Sequence, residues 1–327
     1  MYRSRFYLPA MVAATILATF VALVHASDTV TVCPKSFPAT GAISAAVATA
    51  AADTVINVCP GVYYEDNVEF HVHKVKVIGE GTSGAVIVQC TDPGDTAFYL
   101  AAYDDYVQNM KITGCTFGVY IDGSLGGTDG VIRDNIFVNN TVGVEAYQST
   151  TATVQANTFT NNGTAILDNG STSSDFGSNT IAGNCATCSN IYGISLEGAS
   201  KASVKSNHIS GVYEGVAVYG GTNGSTITEN KVTSCYLAFF IDQAGNNTFT
   251  DNQADSSEDG FLASPTTGQG SLNGKPNVID GGNKAQGNAL YDLQDQSTGT
   301  EADGVGNKWH QNTCGAKGSS PVSLCTD

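Results

Sequence analysis

The chain has 327 residues, a net charge of −16 and a sequence pI near 4.4, with 13% charged residues against 37 glycines. An acidic balance of this size argues against nucleic acid or an anionic membrane surface as a partner. Few charges and many glycines fit a chain of short strands and turns better than one of solvated helices.

Residues 1–26 carry Arg3 and Arg5, an apolar run from Phe6 to Val24, and Val24-His25-Ala26 before Ser27. That order predicts a secretory signal cleaved after Ala26, a secreted or periplasmic protein, and no membrane span beyond the segment. Residues 27–106 read as a cap with irregular opening coils. A strand is predicted over Asp28–Cys33, and Ala42–Ala52 suits a short amphipathic helix covering the open end of a stack, whose first coil would otherwise expose core and strand edge. Apolar runs follow at Val55–Cys59, Val75–Ile78 and Ala85–Val88.

Regular coils are predicted over 107–263, where an Asn recurs in one phrase: Asn135, Asn157, Asn179, Asn207, Asn230 and Asn252, in steps of 22, 22, 28, 23 and 22 residues. A period near 22 with short alternating apolar runs is the signature of a β-solenoid. Coils stacked about 4.8 Å apart place each Asn above the last, so the amides pair along a ladder. Weaker copies are expected at Asn283 and Asn307, with Gly114 holding the place before Asn135.

A second column of small residues runs in step: Gly118, Gly143, Ala165, Gly193, Gly215, Ala238 and Gly260. Strand alternation then predicts three inward stacks. Val119, Val144, Ile166, Ile194, Val216, Phe239 and Phe261 form one; Ile132, Val154, Phe176, Val204, Ile227 and Phe249 another; Phe137, Phe159, Ile181, Ile209 and Val232 the third. The fold expected is all-β, a three-faced parallel β-helix with an N-terminal capping helix. A Gly, Ser and Pro-rich insertion opens the last segment, 264–327, which continues with C-terminal coils.

Export makes the nine Cys disulfide formers. Spacing suggests Cys33 with Cys59, Cys90 with Cys115, Cys185 with Cys188, and Cys314 with Cys325, leaving Cys235 buried and unpaired. Cys185-Ala-Thr-Cys188 is half of a zinc pattern without a second pair or a His doublet, so no metal site is expected, and no cofactor.

Pro60-Gly61-Val-Tyr63-Tyr-Glu65, then Val77-Ile78-Gly79-Glu80-Gly81, then the Asn and Gly columns resemble the pectin-lyase-like superfamily of right-handed parallel β-helices. The likeness covers nearly the whole chain beyond the signal and is specific for fold, since that superfamily houses lyases, hydrolases, esterases, epimerases, adhesins and non-catalytic proteins. Pectin methylesterases share the Gly61 to Glu65 opening, but their later motifs are absent, as are those of polygalacturonases. The accessory β-helix proteins of copper-dependent nitrous oxide reduction share the repeat style. Copper handling would ask for clustered Met and His, and beyond the signal the chain has only Met110 and scattered His.

The resemblance implies a groove along the Gly-column strand. Its outward positions include Tyr120 and Asp122, Glu145 and Tyr147, Asn169, Ser195 and Glu197, Ala217 and Tyr219, then Phe240 and Asp242. Aromatic faces that stack on sugar rings and carboxylates that accept hydrogen bonds from hydroxyl groups suit an extracellular polysaccharide, a neutral glycan among them. Tyr120, Asp122, Tyr147, Tyr219 and Phe240 are the expected binding residues, and Glu145, Glu197 and Asp242 the acids for a lyase or hydrolase. Basic residues such as Arg133, Lys205, His208 and Lys231 flank the Asn column on another face. Three readings stand: a polysaccharide-binding or processing protein, a polysaccharide lyase or glycoside hydrolase, and a non-catalytic surface scaffold.

Overall fold

One turn of chain sets the pattern. Strand Gly130–Arg133 runs along the first face, Ile136–Val138 along the second and Val142–Tyr147 along the third, and the next turn repeats the three strands in parallel register 22 residues on, Ile132 facing Val154, Phe137 facing Phe159 and Val144 facing Ile166. The structure, a computed structural model, describes residues 28–34, 39–124, 126, 128–183, 191–271 and 273–325. The segment read as a signal, and Cys185 with Cys188, lie outside the described residues. Among those described, two faces are 12-stranded sheets and the third is 11-stranded.

All three predicted apolar stacks are inside and buried, with Phe137 on Phe159 at 4.8 Å and Phe239 on Phe261 at 4.3 Å between ring centroids. Offset or parallel ring stacks of this kind add to plain burial, and here the coil repeat enforces them.

The Asn column sits at the bend between the first and second faces. Asn135, Asn157, Asn179, Asn207, Asn230 and Asn252 are each 0–1% exposed. Every side-chain oxygen in this series accepts from the preceding Asn where there is one, both from its backbone N–H and from its amide, as between Asn157 and Asn179 at 3.0 and 3.2 Å. The residue before each Asn takes the left-handed conformation: Asp134, Ala156, Ser178, Ser206, Glu229 and Asp251 have φ of 54–57°. That conformation is costly for non-glycine residues, and the paired amides hold the bend that requires it.

Two expectations at the ladder's ends are corrected. Met110, not Gly114, holds the place before Asn135: Met110 is fully buried and donates its N–H to the Asn135 side chain at 3.0 Å, while Gly114 follows the strand Lys111–Thr113 on the next face. The step is 25 residues rather than 22, which displaced the alignment. At the other end the ladder runs through Asn283 to Asn312. Asn307 belongs instead to a separate ladder with Asn247 and Asn277 at another corner. A further amide pair, Asn140 with Asn162, fills the bend between the second and third faces.

The small-residue column has a steric cause. A Cβ on Gly193 would lie 2.2 Å from the Gly215 carbonyl oxygen, and one on Gly118 2.6 Å from that of Gly143. The backbone of the next coil and the core side chains beneath, such as Phe137 at 2.7 Å from the Gly118 position, leave no room for a larger residue.

Helix α1, Ala42–Ala48, buries Ile43 and Val47 against the first coils. The Glu65 carboxylate, 1% exposed, accepts the N–H groups of Ile43 at 2.7 Å and Ser44 at 3.1 Å and so caps the helix. Tyr63 donates its hydroxyl to the Cys59 carbonyl at 2.8 Å. Tyr63 and Glu65 of the Gly61 to Glu65 phrase are therefore engaged in closing the stack. Disulfides Cys33–Cys59, Cys90–Cys115 and Cys314–Cys325 form as expected, and Cys235 is free and buried. No helix among the described residues is long and apolar enough to cross a membrane.

Candidate functional site

The third face presents three outward files, because its strands are longer than those of the other two faces. Register places Tyr99, Tyr120, Glu145, Leu167, Ser195, Ala217 and Phe240 in one file, and Asp122, Tyr147, Asn169, Glu197 and Tyr219 in the next. The third file holds Phe117, Val142, Thr164, Tyr192, Glu214 and Leu237.

Along the middle file, that of Tyr120 and Glu145, side-chain size sets apart two hollows among the described residues. The larger, of about 460 Å³, lies where that file shrinks to Leu167 and Ser195, and its walls include Tyr192, Glu197, Tyr219 and Asp242. The second, about 420 Å³, is lined by Thr96, Tyr99, Phe117, Tyr120, Glu145 and Tyr147. The structure thus brings Glu197, Tyr219 and Asp242 together, and separately Tyr120, Glu145 and Tyr147. Glu145 and Glu197 lie two coils apart and in different files, so the groove expected along this strand holds them at two stations on one sheet. Phe240 packs edge-on to Tyr219, with centroids 5.6 Å apart at 73°, and lines neither hollow; nor does Asp122.

The second hollow is built on stacked phenols. Tyr99 and Tyr120 stack at 5.6 Å and 14°, Tyr120 and Tyr147 at 6.1 Å and 23°, and Phe117 meets Tyr120 edge-on at 5.2 Å. Tyr99 donates its hydroxyl to Asp122, which also accepts the Ser124 N–H at 2.9 Å. Partial burial works against the Asp122 charge, but these hydrogen bonds from Ser124 and Tyr99 hold its carboxyl below the usual range, while burial and the same Asp122 push the Tyr99 phenol up to about 12. Glu145 is only 6% exposed; burial raises its pKa, partly offset by the Asn169 amide at 3.3 Å and reinforced by the charge of Glu197.

In the larger hollow the phenol of Tyr219 reaches back along its own strand and donates to Glu214. Ala217 lies between them in sequence and is fully buried; a larger side chain there would block the crossing. Burial raises the Glu214 carboxyl, the Tyr219 hydroxyl lowers it, and Asp242 adds repulsion. Asp242 accepts the Thr266 hydroxyl at 2.8 Å and the Ser264 hydroxyl. Ser195 donates to Glu197 at 3.3 Å.

Glu214 and Tyr192 escaped sequence reasoning. Strict alternation puts Glu214 on the same side as Val216, hence inside. In the structure both Gly215 and Val216 are buried and the register steps over Gly215, so Glu214 turns outward. The signal that could have found them is the same step one place before every member of the small column.

Beneath this face Asp168 points inward, as alternation implies, between Ala146 and Leu196 of the adjoining coils. Its Oδ1 accepts the Ser171 N–H at 3.2 Å and its Oδ2 has no partner. Burial pushes its carboxyl up to about 6.

Searching the curated proteins by sequence returns no match. Among solved structures the fold is similar to a periplasmic alginate epimerase, AlgG, with TM-score 0.53 and 14% identity over 81% of this chain and 73% of that one. It is similar to the A-module of the Azotobacter vinelandii mannuronan C-5 epimerase AlgE6, TM-score 0.55 and 14% identity over 85% and 89%. A third is the catalytic unit of a GH87 α-1,3-glucanase from Streptomyces thermodiastaticus, TM-score 0.51 and 16% identity over 87% and 68%.

Two family models match: a right-handed β-helix region over residues 175–320, and the family described as periplasmic copper-binding protein (NosD) over residues 54–232. The donor set for copper does not fit the described residues. Met110 and the Cys235 thiol are buried inside the stack, and burial pushes that thiol up to about 11. His71 is paired with Glu69 and His73 lies on Tyr103, while no group of three or more His, Cys, Asp or Glu converges among the described residues. By its repeat and the span of the match, more than half its length, the chain belongs to the NosD family of right-handed parallel β-helix proteins.

Proposed function

We propose that the third face is a glycan-binding surface on an extracytoplasmic protein. The observation that carries this reading is the crowding of outward aromatics and carboxylates onto that face: Tyr99, Tyr120, Tyr147, Tyr192, Tyr219 and Phe240 with Glu145, Glu197 and Asp242, around two hollows. Flat apolar rings beside hydrogen-bond acceptors match a sugar, which offers C–H faces and hydroxyl edges. The similar folds support it, being named as an alginate epimerase, a mannuronan epimerase and an α-1,3-glucanase. The periplasmic character of the matched family and three disulfides among the described residues support the location. Tyr120, Tyr147 and Tyr219 serve as ring platforms, with Phe240 bracing Tyr219 and Asp122 fixing Tyr99.

A processing activity has one observation in its favour: Glu197 and Asp242 share a hollow, with Glu214 held behind Tyr219. In that reading they supply acid and base to a glycosidic bond, and Glu145 serves the second hollow.

Affinity electrophoresis of the purified protein through gels containing single glycans tests the binding reading. At least one glycan should retard the native protein, with retardation weakened on the order of tenfold in Tyr219→Ala or Tyr147→Ala, from the loss of a ring contact. A panel in which none retards the protein would sink the reading. Release of reducing ends or of ultraviolet-absorbing unsaturated products would establish processing.

A further inference from the structure

Charge is divided among the three faces. No Lys, Arg or His lies in any described strand of the third face, whereas Lys76, Arg133, Lys205 and Lys308 lie in strands of the first, and Lys111, His208, Lys231 and Lys284 in strands of the second. The third face has Glu145, Glu197 and Glu214 in its strands and Asp242 directly after one. Neither hollow is lined by a cation. Glu145 and Glu214 are 6% and 5% exposed, so a second negative charge brought against them would meet carboxylates already poorly solvated.

From this partition we infer that the third face takes glycans without carboxylates and rejects polyuronates, although two of the similar folds belong to proteins that act on alginate or mannuronan. The inference rests on the glycan-binding reading and deepens it. A uronate polymer carries a negative charge on every sugar. Laid along the face, it would set those charges against Glu145, Glu197 and Asp242 with no Lys or Arg to neutralise either partner. Each apposed pair in water at van der Waals separation weakens binding by about fivefold, and more where the site is partly desolvated. A neutral glycan meets the same carboxylates as acceptors for its hydroxyl groups, and the rings remain available to its C–H faces. Selectivity then comes from repulsion of the wrong polymer as much as attraction of the right one.

The test compares a neutral β- or α-glucan panel with alginate and polygalacturonate, by affinity electrophoresis of the full chain at low salt, once with a chelator and once with calcium. The expected result is retardation by a neutral glycan and at least tenfold weaker retardation by both uronates in either buffer. The gap should narrow in high salt, which screens charges beyond a few ångströms, and in the double variant Glu197→Gln with Asp242→Asn. Retention of a uronate polymer as strongly as any neutral glycan, with or without calcium, overturns the inference while leaving a glycan-binding face intact. No retention by any glycan overturns the underlying reading instead. A gap unchanged by salt and by the double variant also overturns it, because shape rather than charge would then set the choice.

Discussion

The Asn157 side-chain oxygen accepts two hydrogen bonds from Asn135 one coil earlier, from its backbone N–H at 2.9 Å and its amide at 3.2 Å. Its own amide donates to the Ile132 carbonyl and to Asn179. Each residue of the ladder therefore completes the buried polar groups of its neighbours.

Replacing Asn157 with Ala leaves the Asn135 N–H without its acceptor in a site that water does not reach, at a cost of about 2–4 kcal/mol. The midpoint of urea unfolding should fall accordingly. Asn157→Asp should be worse at neutral pH, since it sets a charged oxygen against the Asn179 oxygen, and should partly recover in acid as the carboxyl protonates.

Asp168 and Asp105 are both fully buried, and burial raises their carboxyls to about 6 and about 7. A folded-state pKa above the unfolded one means that the folded form binds the proton more tightly. The contribution of these two carboxyls to stability is therefore greatest below about pH 4, falls as pH rises through 4 to 7, and is flat above that. Asp168→Asn should remove its share of the slope and raise stability at pH 7 by about 2–3 kcal/mol, with little change at pH 3. Unfolding midpoints measured across that range check both halves of the statement.

Gly215 belongs to the column where backbones meet. A methyl group there would lie 2.3 Å from Val232 and 2.5 Å from the Ala238 carbonyl. Gly215→Ala should cost about 1–3 kcal/mol from overpacking, read as a lowered midpoint in thermal or urea unfolding.

The Cys235 thiol is buried and its pKa is pushed up to about 11, so a disulfide reagent at pH 8 should leave it unmodified in the native protein and label it once the protein is denatured. Cys90→Ser with Cys115→Ser opens a link between residues 25 apart in sequence and should lower stability by about 3 kcal/mol.

What could be read from the residues follows from how often one position repeats one chemistry. The first Asn ladder was legible because Asn135 to Asn252 keep one residue type in one phrase, and the Phe137 and Val119 stacks because burial tolerates only apolar types there. The ladder of Asn247, Asn277 and Asn307 was hidden: earlier coils fill that column with Ala152, Ser174, Ala202 and Ser225, which turn the same corner with smaller side chains. The pairing of Asn140 with Asn162 was hidden likewise, as Cys115 and Cys235 occupy its place elsewhere. On the third face the outward phase of Tyr120, Glu145, Tyr147 and Glu197 was legible from alternation. The division into two hollows was not, because it depends on the side-chain volumes of residues three coils apart and on Glu214 turning outward past Gly215.

Through Asn135, Asn157, Asn179, Asn207, Asn230, Asn252, Asn283 and Asn312, each amide nitrogen gives its proton to the oxygen of the following coil, never the reverse, and Asn247, Asn277 and Asn307 keep the same sense. Rotating any single amide by half a turn would set two donors face to face on one side and two acceptors on the other. The row can reverse only as a whole, and the parallel backbone N–H groups aimed at the same oxygens forbid even that. The solenoid thus carries one-way chains of aligned amide dipoles along its length, each link polarising the next, and a coil spliced in from elsewhere would have to bring an amide of the same sense to be accepted.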